Sequence, residues 1–260
     1  MASVLEDGAG KHQGFAQVSA LLGTMPASFR PSHLPAMTSS VRIWDLPTRL
    51  FHWTLAAATV ALVATAKLGG NAMLWHERLG YALLALLVFR LLWGVLGGRW
   101  SRFASFAPTP GRLLRYLGGH SQEHQAPGHS PLGALSVLAL LLVLLLQVAS
   151  GLASDDEIAF TGPLVRFLPG EWVGRATWYH ADVGQYVLYV LVGLHVLAVA
   201  FYALVRRRAI VRAMLTGDKQ LPASVPPSRD DAATRLLALV LLALAAALAW
   251  WVSRLDAGAF

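Results

Sequence analysis

The chain has 260 residues, of which 56 % are apolar and only 13 % charged, with a formal net charge of +7 and no cysteine. So little charge leaves a soluble domain of this length without enough polar surface, and the missing thiols exclude disulfides, iron–sulfur clusters and covalently attached haem. The positive balance, in a chain this apolar, reads as basic cytoplasmic loops and not as nucleic-acid binding.

Residues 1–40 carry scattered Gly, Ser and Pro without periodicity. They lack the basic start and clean apolar core of a secretory signal. They read as a disordered extension, with Met37 as an alternative start because organised sequence begins directly after it. Five apolar segments follow, near Leu50–Leu68, His76–Gly98, Leu132–Leu152, Tyr179–Val205 and Thr234–Val252. Each is long enough to cross roughly 30 Å of hydrocarbon as a helix. Backbone groups in lipid must be satisfied internally, so the fold class is all-α and integral to the membrane.

Basic residues set the orientation. Arg42 and Arg49 precede the first span. Arg99, Arg102, Arg112 and Arg115 separate the second from the third, and Arg206, Arg207, Arg208, Arg212 and Lys219 follow the fourth. These regions share one side, which places the N-terminus in the cytoplasm. The 153–178 loop, with Asp155, Asp156, Glu157 and Glu171, then faces out. The stretch Pro222 to Pro227 reads as a loose linker, so residues 41–221 form a four-helix unit and 222–260 an appended fifth span.

Ionisable residues inside a bilayer are costly and mark function. His52 lies near the cytoplasmic end of span one, while His76 and His180 begin spans two and four on the outer side. His195 lies fifteen residues beyond His180, roughly 22 Å deeper, and about 60° round the helix. The four sort into an outer pair, His76 with His180, and an inner pair, His52 with His195. That arrangement suits two haems b, each with two axial imidazoles, in a dry slot between helices. The competing reading of each lone histidine is a hydrogen bond to a neighbouring helix.

Gly80 and Gly184 each follow an outer histidine by four residues. On an α-helix that is the same face, one turn along, where a missing side chain admits a flat macrocycle. The alternative is ordinary glycine-mediated helix packing. Arg90 lies fourteen residues after His76 and should face inward, where a haem propionate is one partner; the alternative is snorkelling to the interface. Arg102, Phe103, Phe106, Arg112 and His129 are candidates for a quinone site, although positive-inside topology alone explains the arginines. His120 and His124 form an i, i+4 pair that reads as a solvated loop or a surface metal site.

Several segments in order resemble the bacterial cytochrome b561 and nickel–iron hydrogenase b-type cytochrome group. They are Val41 to Trp53, His76 to Tyr81, Arg90 to Gly94, Gly128 to Gly133, Ser150 to Leu152 with Asp155-Asp156, His180 to Gly184, His195, and Met214 to Gly217. The resemblance spans about Val41 to Pro222. It implies a four-helix dihaem bundle in the bacterial inner membrane, axial ligands at His52, His76, His180 and His195, and respiratory electron transfer, commonly with quinone. The 40-residue extension and the fifth span lie outside that pattern.

Three functions follow as expectations. One is electron exchange between quinone and a periplasmic partner such as a cytochrome c drawn by the acidic loop. Another is a membrane-anchor subunit of a hydrogenase-like complex. A third, of another class, is a transporter handling metal ions or protons.

Overall fold

The computed structural model describes residues 38–118, 127–158 and 160–255, and those from Ser39 on belong to one compact unit. The proposed start at Met37 and the His120–His124 pair lie outside the described residues. The elements run β1 (Thr38–Arg42), α1 (Leu46–Leu68), α2 (Met73–Leu96), α3 (Pro110–Leu117), α4 (Pro131–Leu152), α5 (Gly170–Val205), α6 (Ile210–Thr216), β2 (Asp218–Pro222) and α7 (Ala232–Ser253). The helices α1, α2, α4, α5 and α7 are each long and apolar enough to cross a membrane.

Start signals in the sequence set the helix boundaries. Asp45, Ser130 and Asp231 each accept a backbone N–H three residues on, at 2.8, 3.2 and 2.8 Å. Pro47 and Pro131 stand in the first turns of α1 and α4, where a missing N–H costs nothing. Between α1 and α2, Gly69 and Gly70 take φ of 64° and 53°. Two successive left-handed residues turn the chain sharply at the outer side, which glycine does without a Cβ clash.

α2 is central: it packs against α1, α4 and α7. Its Leu83, Leu87 and Trp93 are at most 3 % exposed. α7 meets it through Ala238, Leu241, Ala245 and Ala249, a stripe of small residues that brings backbones close. The fifth span is therefore packed along its length. Its linker is not loose either: Ser228 donates N–H to Arg42 O (2.7 Å) and Oγ–H to Ile43 O (2.9 Å), and Trp100 Nε1 donates to Pro226 O (2.9 Å). Arg42 bridges Asp218 at 2.6 Å and Asp230 at 2.7 Å, and Arg235 adds a second contact to Asp230 at 3.0 Å. Proline-rich composition reads as slack, but the partners come from residues far away in sequence.

The short β1–β2 pair closes the same side of the bundle. Gly217, at φ 92°, ends α6 in the left-handed region and offers its carbonyl to Ile43 N (2.8 Å) and Trp44 N (3.0 Å). Nearby, the fully buried Asp45 collects Thr48 N–H, Trp93 Nε1–H at 3.2 Å and Ser101 Oγ–H at 2.7 Å. Because Ser101 donates to Asp45, Thr48 Oγ donates to Ser101 at 2.7 Å, and Trp93 also reaches Thr48 at 3.1 Å. One carboxylate thus ties the start of α1 to the end of α2.

Asp45→Ala removes a helix cap and strands three buried donors, so a loss of about 2–4 kcal/mol is expected from unfolding titrations in detergent. Asp230 adds a pH dependence. Burial alone would raise its carboxyl, but the bonds from Arg235 and the Leu46 N–H, with the charges of Arg235 and Arg42, hold it below the ordinary carboxylate range. A lowered folded value means its contribution is intact above the unfolded pKa and fades as pH falls through the folded one. Hydrogen exchange of residues 222–231 should accelerate only in strong acid.

Candidate functional site

His76 begins the second turn of α2, and His180 sits in α5 within a wide turn, Tyr179–Gly184, where π-type bonding replaces the α pattern. Their ring centroids are 6.0 Å apart with planes at 82°. Each ring is aimed by a neighbouring helix. His76 Nδ1 lies 2.9 Å from Leu62 O of α1, and His180 Nδ1 lies 2.9 Å from Gln147 O of α4. A carbonyl only accepts, so each Nδ1 carries the proton and each neutral Nε2 keeps its lone pair. Gln147 O also accepts Ser150 Oγ–H at 3.0 Å, whereas the Thr65 hydroxyl lies nearer Ala61 O (2.8 Å) than Leu62 O (3.0 Å).

Between the two rings lies an apolar cavity of about 340 Å³, lined by Leu62, Gly80, Leu144, Gln147, Gly151 and Leu188 among others. Two imidazoles on one metal ion, with bonds of about 2.0 Å, have centroids about 6.3 Å apart, close to the observed spacing. Among the described residues no cluster of three or more metal-ligating groups occurs. The donor set therefore suits an iron that brings its other four ligands with it, as in haem.

The two glycines divide. A Cβ on Gly80 meets open space within the cavity wall, as expected of a residue facing a ring. A Cβ on Gly184 meets Gln147 Oε1 and the Tyr179 ring instead. Gly184 faces α4, where the Gln147 side chain fills the space beside it. Gly151 of α4 takes the expected place beside the ring. Its Cβ would come within 2.8 Å of His180 Cε1, and it lines the cavity. Sequence reading noted Ser150-Gly-Leu152 but assigned the glycine no role; its distance from any histidine in sequence hides the contact.

The inner histidines are less tightly framed. His52 lies edge-on to Trp53 at 5.1 Å, its Nδ1 is buried without a hydrogen-bond partner, and His195 lies within electrostatic range. The extra residue in the wide turn makes fifteen residues rotate like about fourteen, about −40° instead of +60°, so His180 and His195 still share a side of α5. Arg90 is 4 % exposed and does not snorkel. Its guanidinium stacks on Phe103 at 4.7 Å, and Nη1 has no partner. His129 lies half-buried between Trp44 (4.7 Å) and Phe106 (4.5 Å), with its Nδ1 out of contact with solvent. Desolvation, then the charges of Arg90 and Lys219, push its imidazole down to about 3, leaving it neutral.

Of the other quinone candidates, Arg102 donates Nε–H to Gly97 O at 2.9 Å and so caps α2. On the outer side, Asp155 Oδ1 accepts Glu157 N–H, and Asp156 Oδ1 accepts the N–H groups of Ile158 and Phe160. Both carboxylates shape the loop.

The prokaryotic cytochrome b561 family profile matches residues 43–217, from the start of α1 to the end of α6. The chain belongs to the prokaryotic cytochrome b561 family. It is thus a multi-pass membrane cytochrome of the b type, holding haem b without covalent attachment and serving electron transfer. Similar proteins include a probable Ni/Fe-hydrogenase B-type cytochrome subunit of Bradyrhizobium diazoefficiens, 21 % identical over 70 % of this chain and 86 % of its own. Proteins of the same description from Azotobacter chroococcum and Azotobacter vinelandii are 25 % and 24 % identical, each over 69 % of this chain and 88 % of their own. No solved structure matches the chain significantly. The fifth membrane helix, α7, lies beyond the matched residues.

Gly80→Leu fills the cavity wall without disturbing packing elsewhere. It should lower haem b content per chain several-fold in purified protein, with helical content unchanged by circular dichroism.

Proposed function

We propose that the chain carries two haems b, one between His76 and His180 and one between His52 and His195, and passes electrons across the bacterial inner membrane. The observation that carries this is the outer pair: two Nδ1–H groups anchored on carbonyls of α1 and α4, with both imidazoles lining one apolar cavity. When bound, haem iron supplies a one-electron couple, and two axial imidazoles favour electron transfer over oxygen binding. The chain's own part is orientation. The carbonyls fix each tautomer, Gly80 and Gly151 leave room beside the rings, and the apolar wall excludes water. Arg90 holds a propionate of the inner haem.

The inner level faces the cytoplasm, with the N-terminus on that side, because the arginines of the three loops converge there. Residues 41–221 form the electron-transfer unit, and α7 covers the remaining side of α2.

Quinone exchanges electrons at the lipid-exposed inner level. The periplasmic acceptor or donor docks on the outer side. The turn-forming roles of Asp155 and Asp156 leave less reason to assign that partner as a cytochrome c. A second reading, in which the chain is the membrane-anchor subunit of a hydrogenase-like complex, is favoured by the names of its relatives. Co-purification with a large metalloenzyme supports that role, whereas quinone-linked activity of the isolated chain counts against it. The transporter alternative draws no support from the described residues, since the paired imidazoles lack a third protein ligand.

His180→Ala should remove one haem component in redox difference spectra and His195→Ala the other. Loss of the same component in both defeats the pairing. Ser150→Ala should lower the outer reduction potential. Removing the hydroxyl frees the carbonyl to bind Nδ1–H more strongly, which makes the imidazole more electron-rich and stabilises the oxidised iron. Unchanged potentials in redox titration would remove this tuning role.

A further inference from the structure

We propose that Arg90, His129 and Lys219 together form a buried carboxylate-binding site, and that its occupants are the two propionates of the inner haem. This rests on the reading of His52 and His195 as that haem's ligands. The three residues come from α2, the segment preceding α4, and β2, and one unbroken run of contacts joins them. The Arg90 guanidinium stacks on Phe103 at 4.7 Å, Phe103 meets Phe106 at 5.9 Å, and Phe106 meets His129 at 4.5 Å. His129 meets Trp44 at 4.7 Å, and Lys219 Nζ lies 5.8 Å over the Trp44 ring.

Each member keeps a donor in reserve. Arg90 Nη1 and His129 Nδ1 are buried without a partner. Lys219 Nζ donates to Pro127 O (2.9 Å) and Gly128 O (3.2 Å), which leaves a third N–H. The carboxylate whose charge reaches Arg90 is Asp45, and its two oxygens already accept Thr48, Trp93 and Ser101. Arg208 adds further positive charge near Lys219. The buried Arg90 thus has only a carboxylate committed to other donors, and the half-buried Lys219 has a second cation beside it.

Leaving buried charge uncompensated is strongly destabilising. An anion completes the site, and two carboxylates on one edge of a macrocycle match two cations and a neutral donor. His129 also lies within electrostatic range of both His52 and His195, so the cluster borders the inner pair. A quinone head group is neutral. It would take two hydrogen bonds and leave both cations unmatched, so the charge of the cluster favours propionate.

The test uses the full chain with haem labelled with 13C at its propionate carboxyls. Haem stoichiometry on the unaltered protein comes first: fewer than two haems per chain overturns the two-haem reading and this inference with it. With two haems present, redox-difference infrared spectra are compared for the unaltered protein, Lys219→Met and Lys219→Arg. The inner bands are assigned as those lost in His195→Ala. The site predicts that label-sensitive carboxylate bands of the inner haem shift in Lys219→Met and return in Lys219→Arg, while outer bands stay fixed. It also predicts an inner reduction equilibrium about tenfold less favourable in Lys219→Met, about 59 mV for one electron. Arg90→Lys, which keeps the charge but not the fork, should shift the same bands and provides an independent arm if Lys219→Met folds poorly. Unmoved label-sensitive bands in both variants, at full haem content, overturn the proposal. So does a several-fold rise in quinol KM with bands and potential unchanged, which would assign the site to quinone.

Discussion

The arrangement depends on one recurring interaction: an imidazole Nδ1–H held by a carbonyl of the next helix. A carbonyl in the second turn from the end of α1 and one in the last turns of α4 are otherwise part of their own helices. Their second lone pairs reach across to His76 and His180. In lipid such a bond has no water to compete with it, and it decides which nitrogen is left bare. Helix packing, the glycines beside the rings and the wide turn in α5 all serve that outcome. The π turn illustrates it: one extra residue in the helix re-aims His180 toward α4 without breaking the span.

The two levels of the bundle differ in how completely protein alone frames them. At the outer level both rings have carbonyl partners and a shared apolar cavity. At the inner level His52 Nδ1, Arg90 Nη1 and His129 Nδ1 are buried polar atoms without partners. Buried polar groups are normally satisfied, so each exception calls for an explanation. The acidic arms of a ring-shaped cofactor answer the exceptions at Arg90 and His129; Arg49 Nε and, at the outer level, Gln147 Oε1 are further buried atoms without partners. The asymmetry also places the charged cluster on the side where the basic loops gather, beside the Asp45 network that locks α1 to α2.

Much of this was legible in the chain. Five spans follow from apolar runs, because lipid admits helices and little else. The approach of His76 to His180 needed only the helical rise and the shared depth, and their ring centroids stand 6.0 Å apart. What escaped was set by contacts remote in sequence. β1 and β2 are five-residue strands whose pairing closes some 176 residues of chain, as the Arg42–Asp218 bond shows. Pro222 to Pro227 has the composition of slack linker, yet Ser228 and Trp100 pin it. Gly184 is occupied on its open side by Gln147 and Tyr179, contacts remote or invisible in the sequence pattern, while Gly151 had no nearby histidine to draw notice. Arg90 left two readings open at the sequence level, and burial against Phe103 removes the snorkelling one.

The central claim is that imidazoles grip iron in pairs at two depths. Haem-to-chain stoichiometry on purified protein, read together with the spin state of the oxidised iron, tests it most directly. The account predicts two haems b per chain, both low-spin as two strong axial nitrogen ligands require. A single haem, or a high-spin population with an open axial position, would contradict it.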